Sequence, residues 1–272
     1  MTISAKIIAD SINPDNERIT TFELEYPRFI HSEFMTHRVF SRNASSSRAI
    51  PIKKMLNLVR SNMATPIHWG AKQSGMQADN QLTGFKKWLA RKLWKGTGYL
   101  VSYMVQIMNS LGLHKQVANR MLEPWSHIKV VMTTTHFDNW FALREHKDAQ
   151  PEIHQLAVQM RKVMELSKPR VLDWGEWHLP YVTEEDRKKY GKYALIKIST
   201  TACAQVSYRI LDTSIEKVHR VFDLLINSDV VHASPFEHPT RATKSGGSGN
   251  FAPTKWKQYR FYVERNLIPP LD

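Results

Sequence analysis

The fourteen residues from Met35 to Arg48 hold more reactive and charged groups than any other stretch of this chain. Three arginines (Arg38, Arg42, Arg48), His37, four serines and Asn43 surround only two apolar anchors, Val39 and Phe40. A core helix would not tolerate that composition. Hydroxyls, backbone N–H groups in a Ser-rich turn and planar guanidinium forks are what phosphate binding requires, because arginine donates bidentately and keeps its charge. Spacing alone leaves two readings open, an anion site and a merely basic surface loop. The whole chain leans the same way: 38 Lys and Arg against 25 Asp and Glu leave a formal +13 and a pI near 9.8, so an anionic partner is expected.

The elements that must position these groups can be read from periodicity. Lys6 to Ile12 and Ile19 to Tyr26 read as strands joined by a turn at Asn13 to Asn16, and Phe29 to Phe34 suits a short helix leading into the polar segment. Thr83 can cap a basic amphipathic helix carrying Phe85, Trp88, Leu89 and Leu93, with Lys86, Lys87, Arg91, Lys92 and Lys95 around the rest. After Gly96 and Gly98, Tyr99 to Leu113 is apolar on nearly every side and predicts a helix buried centrally or at a subunit contact. A helix runs from Pro151 until Ser167 to Pro169 stops it, and another starts at a capping box formed by Thr213 and Glu216. Tyr193 to Tyr208 reads as a strand, Thr243 to Asn250 as a mobile Gly/Ser loop, and Trp256 to Val263 as a final strand. Asp173 to Pro180 reads as an aromatic, ordered loop, either packing or walling a cleft. Strands at both ends with helices between argue for the α+β class in 272 residues, enough for a sizeable core.

Several function classes drop out. One cysteine excludes a disulfide framework and a Cys-cluster zinc site, and its flanking alanines fit a small buried hydrophobe. No H-x-x-x-H or H-E-x-x-H pair occurs among the twelve histidines, so no metal is expected. The N-terminus lacks a secretory pattern, and the apolar run to Leu113 is broken by Ser102, Gln106, Asn109 and Ser110, short of the roughly 20 residues a bilayer span needs. A cytoplasmic location without membrane contact is the expectation.

The segment from Thr36 to Ala49 resembles the signature of flavin-dependent thymidylate synthases, R-H-R-x-x-S-x-N-E-x-S-x-R-Y. It matches at His37, Arg38, Ser41, Asn43, Ser46 and Arg48, and departs at Thr36, Ala44 and Ala49. Ala118 to Pro124 resembles the segment whose arginine, here Arg120, reaches the nucleotide across a subunit contact. Asp138 to Arg144, followed by Asp148 to Ile153, resembles the family's N-x-x-x-x-R and A-Q-x-E-I stretch. Ala204 to Tyr208 and Ser234 to His238 resemble two segments that precede the signature in most members and here follow it. That order implies a circularly permuted member: a single domain over 1–272, with a helical insertion at about 53–110 and a permuted C-terminal segment at about 193–272.

The resemblance implies an α+β fold with a central, mostly antiparallel sheet packed by helices, assembled as a homotetramer with shared active sites. It implies methylation of dUMP to dTMP with methylenetetrahydrofolate as carbon donor and FAD reduced by NADPH as hydride source, without a cysteine nucleophile. Arg144 is then the catalytic candidate, a guanidinium beside the pyrimidine carbonyls that stabilises developing charge. Ser46, Ser47, Arg48 and Arg120 would join it in binding substrate, and His37, Arg38, Asn43, Asn139, Ser207 and His238 would hold the flavin. Two rivals stand beside this reading. One is a related flavin enzyme acting on dCMP or installing hydroxymethyl, and the other is a single-strand-binding protein using the helix from Phe85 to Lys95; nucleic acid is the less expected partner.

Overall fold

The computed structural model describes residues 3–75, 77–207, 211–228 and 230–267. In chain order the strands are β1 (Ser4–Ile12), β2 (Arg18–Pro27), β3 (Ser41–Ala44), β4 (His127–Thr134), β5 (Arg170–Val171), β6 (Trp177–His178), β7 (Thr240–Ala242) and β8 (Trp256–Gln258). The helices are α1 (His31–Met35), α2 (Ile52–Ser61), α3 (Gly84–Ser110), α4 (Lys115–Ala118), α5 (Asp138–Arg144), α6 (Pro151–Leu166), α7 (Glu184–Lys189), α8 (Lys192–Ala204), α9 (Ile215–Ile226) and α10 (Tyr259–Val263). A five-stranded sheet in the order β3-β4-β2-β1-β5 is antiparallel except where β1 meets β5, and a second sheet runs β6-β7-β8. The architecture is α+β.

The first hairpin forms where the sequence places it. Asn13 Oδ1 accepts from the backbone N–H groups of Asp15 and Glu17, and Asn16 supplies the positive φ of the turn. Strand alternation then divides the large sheet into two different faces. Phe22, Leu24 and Tyr26 of β2 pair with Met132, Val130 and Ile128 of β4, and this face packs on Ile153, Leu156, Ala157 and Met160 of α6. Fully burying each of the Phe, Leu, Ile, Val and Met side chains among these is worth about 1.5–3 kcal/mol. The opposite face carries Thr21, Thr133, Ser41 and Asn43 and lies against the C-terminal layer of β6 to β8, α8 and α9, which has its own core around Trp177, Ile196, Phe222, Phe236 and Tyr259.

Several elements differ from their expectation, each for a packing reason. The strand expected from Tyr193 is the helix α8, continued by a 3-10 turn over Gln205–Ser207; Tyr208 lies outside the described residues. Leu195, Ile196, Ile198, Ser199, Ala202 and Cys203 are all buried, so a helix enclosed on several sides loses the one-sided pattern that betrays helices. Its threonines turn inward on the helix, Thr200 Oγ1 donating to the Ile196 carbonyl and Thr201 Oγ1 to that of Lys197. The expected last strand stops at Gln258, and α10 then brings Tyr259 and Tyr262 to the same core. The helix expected from Thr213 begins at Ile215 after Ser214 and forms no side-chain cap.

The helix expected to end near Gly96 and the one expected after Gly98 are a single 27-residue helix, α3. The second half is not buried within the chain: Leu100 is 56% exposed, Tyr103 58% and Leu111 80%, while only Gly98, Ser102 and Val105 are buried. Gly98 lets α3 approach closely, since a Cβ there would lie 2.8 Å from Trp125 Cδ1 and 2.7 Å from Met63 Cε. The Gly/Ser segment at 243–250 is a tightly bonded turn rather than a loose loop. Thr243 Oγ1 donates to the Gly246 carbonyl, and Ser248 Oγ accepts from the Gln258 N–H.

In that turn a Cβ on Gly247 would sit 2.1 Å from the Phe251 carbonyl oxygen and 2.6 Å from those of Thr254 and Trp256. Gly247→Ala is therefore expected to destabilise the protein by about 1–3 kcal/mol. Gly96→Ala, mid-helix with open space, should stabilise it by about 0.5–1 kcal/mol. Thermal unfolding of both variants checks the pair; a neutral Gly247→Ala would mean the turn is not packed as described.

Candidate active site

Strand β3 is short, and a polar cluster stands at each of its ends. At the N-terminal end, Arg144 in the last turn of α5 donates from Nε to His37 Nε2 at 2.9 Å and from Nη2 to Thr36 Oγ1 at 3.3 Å. Thr36, where the family signature has arginine, is thus an acceptor for Arg144. Because Nε2 accepts, the ring proton of His37 sits on Nδ1. The imidazole lies edge-on to Trp140 with centroids 4.7 Å apart and stacks on Phe40. Burial first, then the Arg144 and Arg42 guanidiniums, lower its pKa to about 4, so it is neutral. Arg42 closes the loop by donating to the carbonyls of Met35 and His37. Arg38 and Asn139 are exposed, and their side chains make no hydrogen bond among the described residues.

At the other end, Ser47 Oγ donates to Glu123 Oε1 at 2.6 Å, and the same carboxylate faces Arg120 at 3.8 Å and Arg28 at 4.0 Å. Arg28 also donates to the Ser45 carbonyl, and Asn119 ties down the carbonyls of Ser47 and Ile50. One carboxylate facing two guanidiniums leaves net positive charge here. Arg48 is exposed. The Ser46 N–H donates to Ser207 Oγ at 3.0 Å, and Asn43 Nδ2 donates to the Cys203 carbonyl, so the end of α8 and the turn after it lie over β3 and the segment that follows it. A cavity of about 800 Å³ opens at this junction, lined by Ser45, Ser207, Lys53, Lys54, Lys129 and His127 among others. That volume is in the range of small-ligand sites.

The C-terminal layer adds a buried polar chain that no sequence pattern announces. Ser11 Oγ bonds His178 Nδ1, His178 Nε2 bonds Thr21 Oγ1, Thr21 bonds Thr133, and Thr133 Oγ1 bonds His238 Nδ1, all at 2.7–2.9 Å. Burial lowers both histidine pKa values to about 3. Each ring then has one N–H, and His238 Nε2 is a donor where Thr133 donates to Nδ1 and an acceptor where Nδ1–H donates to Thr133. That atom is buried with no partner among the described residues, as is Trp140 Nε1 beside His37. Of the six residues expected at the flavin, His238 carries such a buried unmet atom, which fits a hydrogen-bonding partner there.

The structure therefore joins Ser46 to Ser207 and Asn43 to the end of α8, links Ser47 with Arg120 through Glu123, and sets Arg144 on His37. It does not join the Arg120 and Arg144 clusters within one chain. Glu123, Arg28, Thr133 and His178 are the partners that sequence reading missed; Glu123 alone carried a signal, three positions after Arg120. The lone cysteine is fully buried, which pushes its thiol pKa up. Among the described residues no three His, Cys, Asp or Glu side chains gather as a metal site, and no helix is long and apolar enough to cross a membrane.

The cavity also has Glu25 and an apolar wall of Ile50, Pro51, Met55, Leu58 and Val206, and of the expected site residues only Ser207 lines it. The family model for Thy1, the thymidylate synthase complementing proteins, matches residues 17–170, more than half of the chain. The chain belongs to that family, the flavin-dependent thymidylate synthases. Among solved structures, the UMP/dUMP methylase PolB from Streptomyces cacaoi bound with 5-Br UMP is similar at 17% identity and a TM-score of 0.49, over 61% of this chain and 89% of that one. The same enzyme bound with 5-Br dUMP gives 16% identity and 0.48, over 61% and 90%. No curated protein sequence matches the chain.

His178 and His238 are held neutral in the fold but take up protons in the unfolded chain near pH 6.5, so the stability they contribute is present above that pH and is lost as pH falls towards 3. His31, His37 and His127, each lowered to about 4, act in the same direction. Unfolding free energy from urea titrations should fall from pH 6.5 to 4.5, each fully buried ring contributing up to about 1.4 kcal/mol per pH unit. A flat profile over that range would show that the folded rings accept protons.

Proposed function

We propose that this protein methylates dUMP to dTMP, with methylenetetrahydrofolate as carbon donor and FAD and NADPH as reductant. The observation that supports this most is the single strand β3, which carries the family signature and ends on both sides in clusters of hydroxyls and guanidiniums. Ser46, Ser47, Arg48 and Arg120 bind the phosphate, which takes over the Ser47 and Arg120 contacts now made by Glu123. Arg144 faces the pyrimidine carbonyls and stabilises the negative charge that gathers on the ring as carbon is transferred. His37 positions Arg144: as a neutral acceptor it fixes the guanidinium without repelling it. His37, Arg38, Asn43, Asn139, Ser207 and His238 hold the flavin, which supplies the hydride when bound.

The C-terminal segment that packs along β3 takes the place of the segment other members carry ahead of the signature. The two clusters that one chain keeps apart are completed by a second copy in a homotetramer, and the exposed apolar face of α3 gives that assembly a contact surface.

Purified protein should be yellow or take up added FAD, and should oxidise NADPH only with dUMP and the folate present, yielding dTMP. Colourless protein that binds no FAD and forms no dTMP would overturn the reading. Arg144→Ala should lower kcat/KM by about 100-fold or more while retaining flavin, on the scale of removing one charge-stabilising donor; unchanged kinetics would remove Arg144 from the site. Cys203→Ala should keep turnover within about twofold, since the buried thiol has no chemical role here; the expected cost is packing alone, about 1 kcal/mol. A folded but inactive variant would reveal a thiol step.

A further inference from the structure

Most of the chain's surplus charge lies in one region. Between Lys53 and Arg120 there are eleven Lys and Arg and one acidic residue, Asp79, a net +10 of the total +13. Five of these cations fall in the first half of α3, whose first turn has no acidic residue. Positive charge at a helix N-terminus opposes the helix dipole, and like charges four apart repel. Carboxylates three or four residues away would relieve that repulsion. Lys87, Arg91 and Lys95, at i, i+4 and i+8, form no ion pair among the described residues, and neither does Arg60 across from them. Their only polar contacts are to neutral acceptors, Arg60 to Gln106 Oε1 and the Ser102 carbonyl, and Lys87 to Gln81 Oε1.

These four cations share a cavity of about 430 Å³ between the C-terminal end of α2 and α3, with Trp69 and Tyr99 also on its wall. A second hollow of about 330 Å³, walled by Trp88 and Lys92, lies along the same Lys87, Arg91 and Lys95 row. From Lys87 to Lys95 the row spans about 12 Å at the helical rise per residue. A row of cations of that length, with an aromatic wall beside it to cover a base, matches an extended polyphosphate carrying a nucleoside. The cavity is separate from the one at Ser45 and Ser207, and the two meet only at Ser61 and Asn62.

We propose that the cleft lined by Arg60, Lys87, Arg91 and Lys95 is a second anion site that binds a nucleoside triphosphate, with the base against Trp69 or Tyr99. The test uses full-length protein with dUMP saturating, so that the Ser47 cluster is filled, and follows tryptophan fluorescence and heat on titration with dTTP, ATP and inorganic tripolyphosphate. One saturable site is expected. Arg91→Glu with Lys95→Glu should weaken all three ligands at least tenfold with circular dichroism unchanged, and Tyr99→Ala should weaken the nucleotides but not tripolyphosphate. If the double charge reversal fails to fold, Lys87→Gln with Lys95→Gln carries the same expectation at a smaller loss. No saturable binding, or undiminished binding in the folded variants, would overturn the proposal. So would tight binding of an oligothymidylate that triphosphates cannot displace, which would make the row a strand-binding surface.

Discussion

The pairing of β3 with β4 is the constraint on which both clusters depend. Ser41 faces Thr133 and Asn43 faces Val131, so these two side chains point to the C-terminal layer, while Arg42 and Ala44 point to the α6 side. Ser41 accepts from Gln258 and Asn250, and Asn43 donates to the Cys203 carbonyl. Arg42, on the other face, closes the turn that holds His37. A slip of one residue would exchange the two sets, releasing the C-terminal layer and reopening the His37 loop together.

The sheet is buried on both faces by different physics. Its α6 side is sealed by apolar area, which is tolerant of direction. Its C-terminal side sets hydroxyls and imidazoles beside a smaller apolar cluster of Ile19, Leu172, Ala242, Phe251 and Trp256, and those polar groups must each find a partner or bear the cost of burial. The chain from Ser11 to His238 meets that condition at every atom but the last. These hydrogen bonds fix the docking geometry of the layer, and His238 Nε2 is buried without a partner among the described residues.

Charge is distributed with the same economy. Glu123 alone answers Ser47, Arg120 and Arg28, so this cluster keeps a positive excess. Beside Arg144 the opposite device operates: burial and two guanidiniums keep His37 neutral, so it accepts a hydrogen bond where an imidazolium would repel. The helix α3 is different again, with its cations gathered at the end where the helix dipole least favours them.

The amino-acid sequence by itself determined the elements whose signals are local: the β1–β2 hairpin from its Asx turn and α6 from Pro151 and its apolar period; residue type singled out Met35 to Arg48 as the stretch richest in hydroxyls and guanidiniums. It also marked Arg120 and Arg144 through short motifs. The tertiary structure alone decided that Tyr193 onward is a helix, because enclosure on several sides erased its period, and that the apolar side of α3 faces outward. It alone decided which residues meet across long separations: Ser47 with Glu123, Asn43 with Cys203, Thr133 with His238. Periodicity reports only how a segment divides its own faces. Which groups meet across more than seventy residues depends on register and layer packing, and those are set by the whole chain at once.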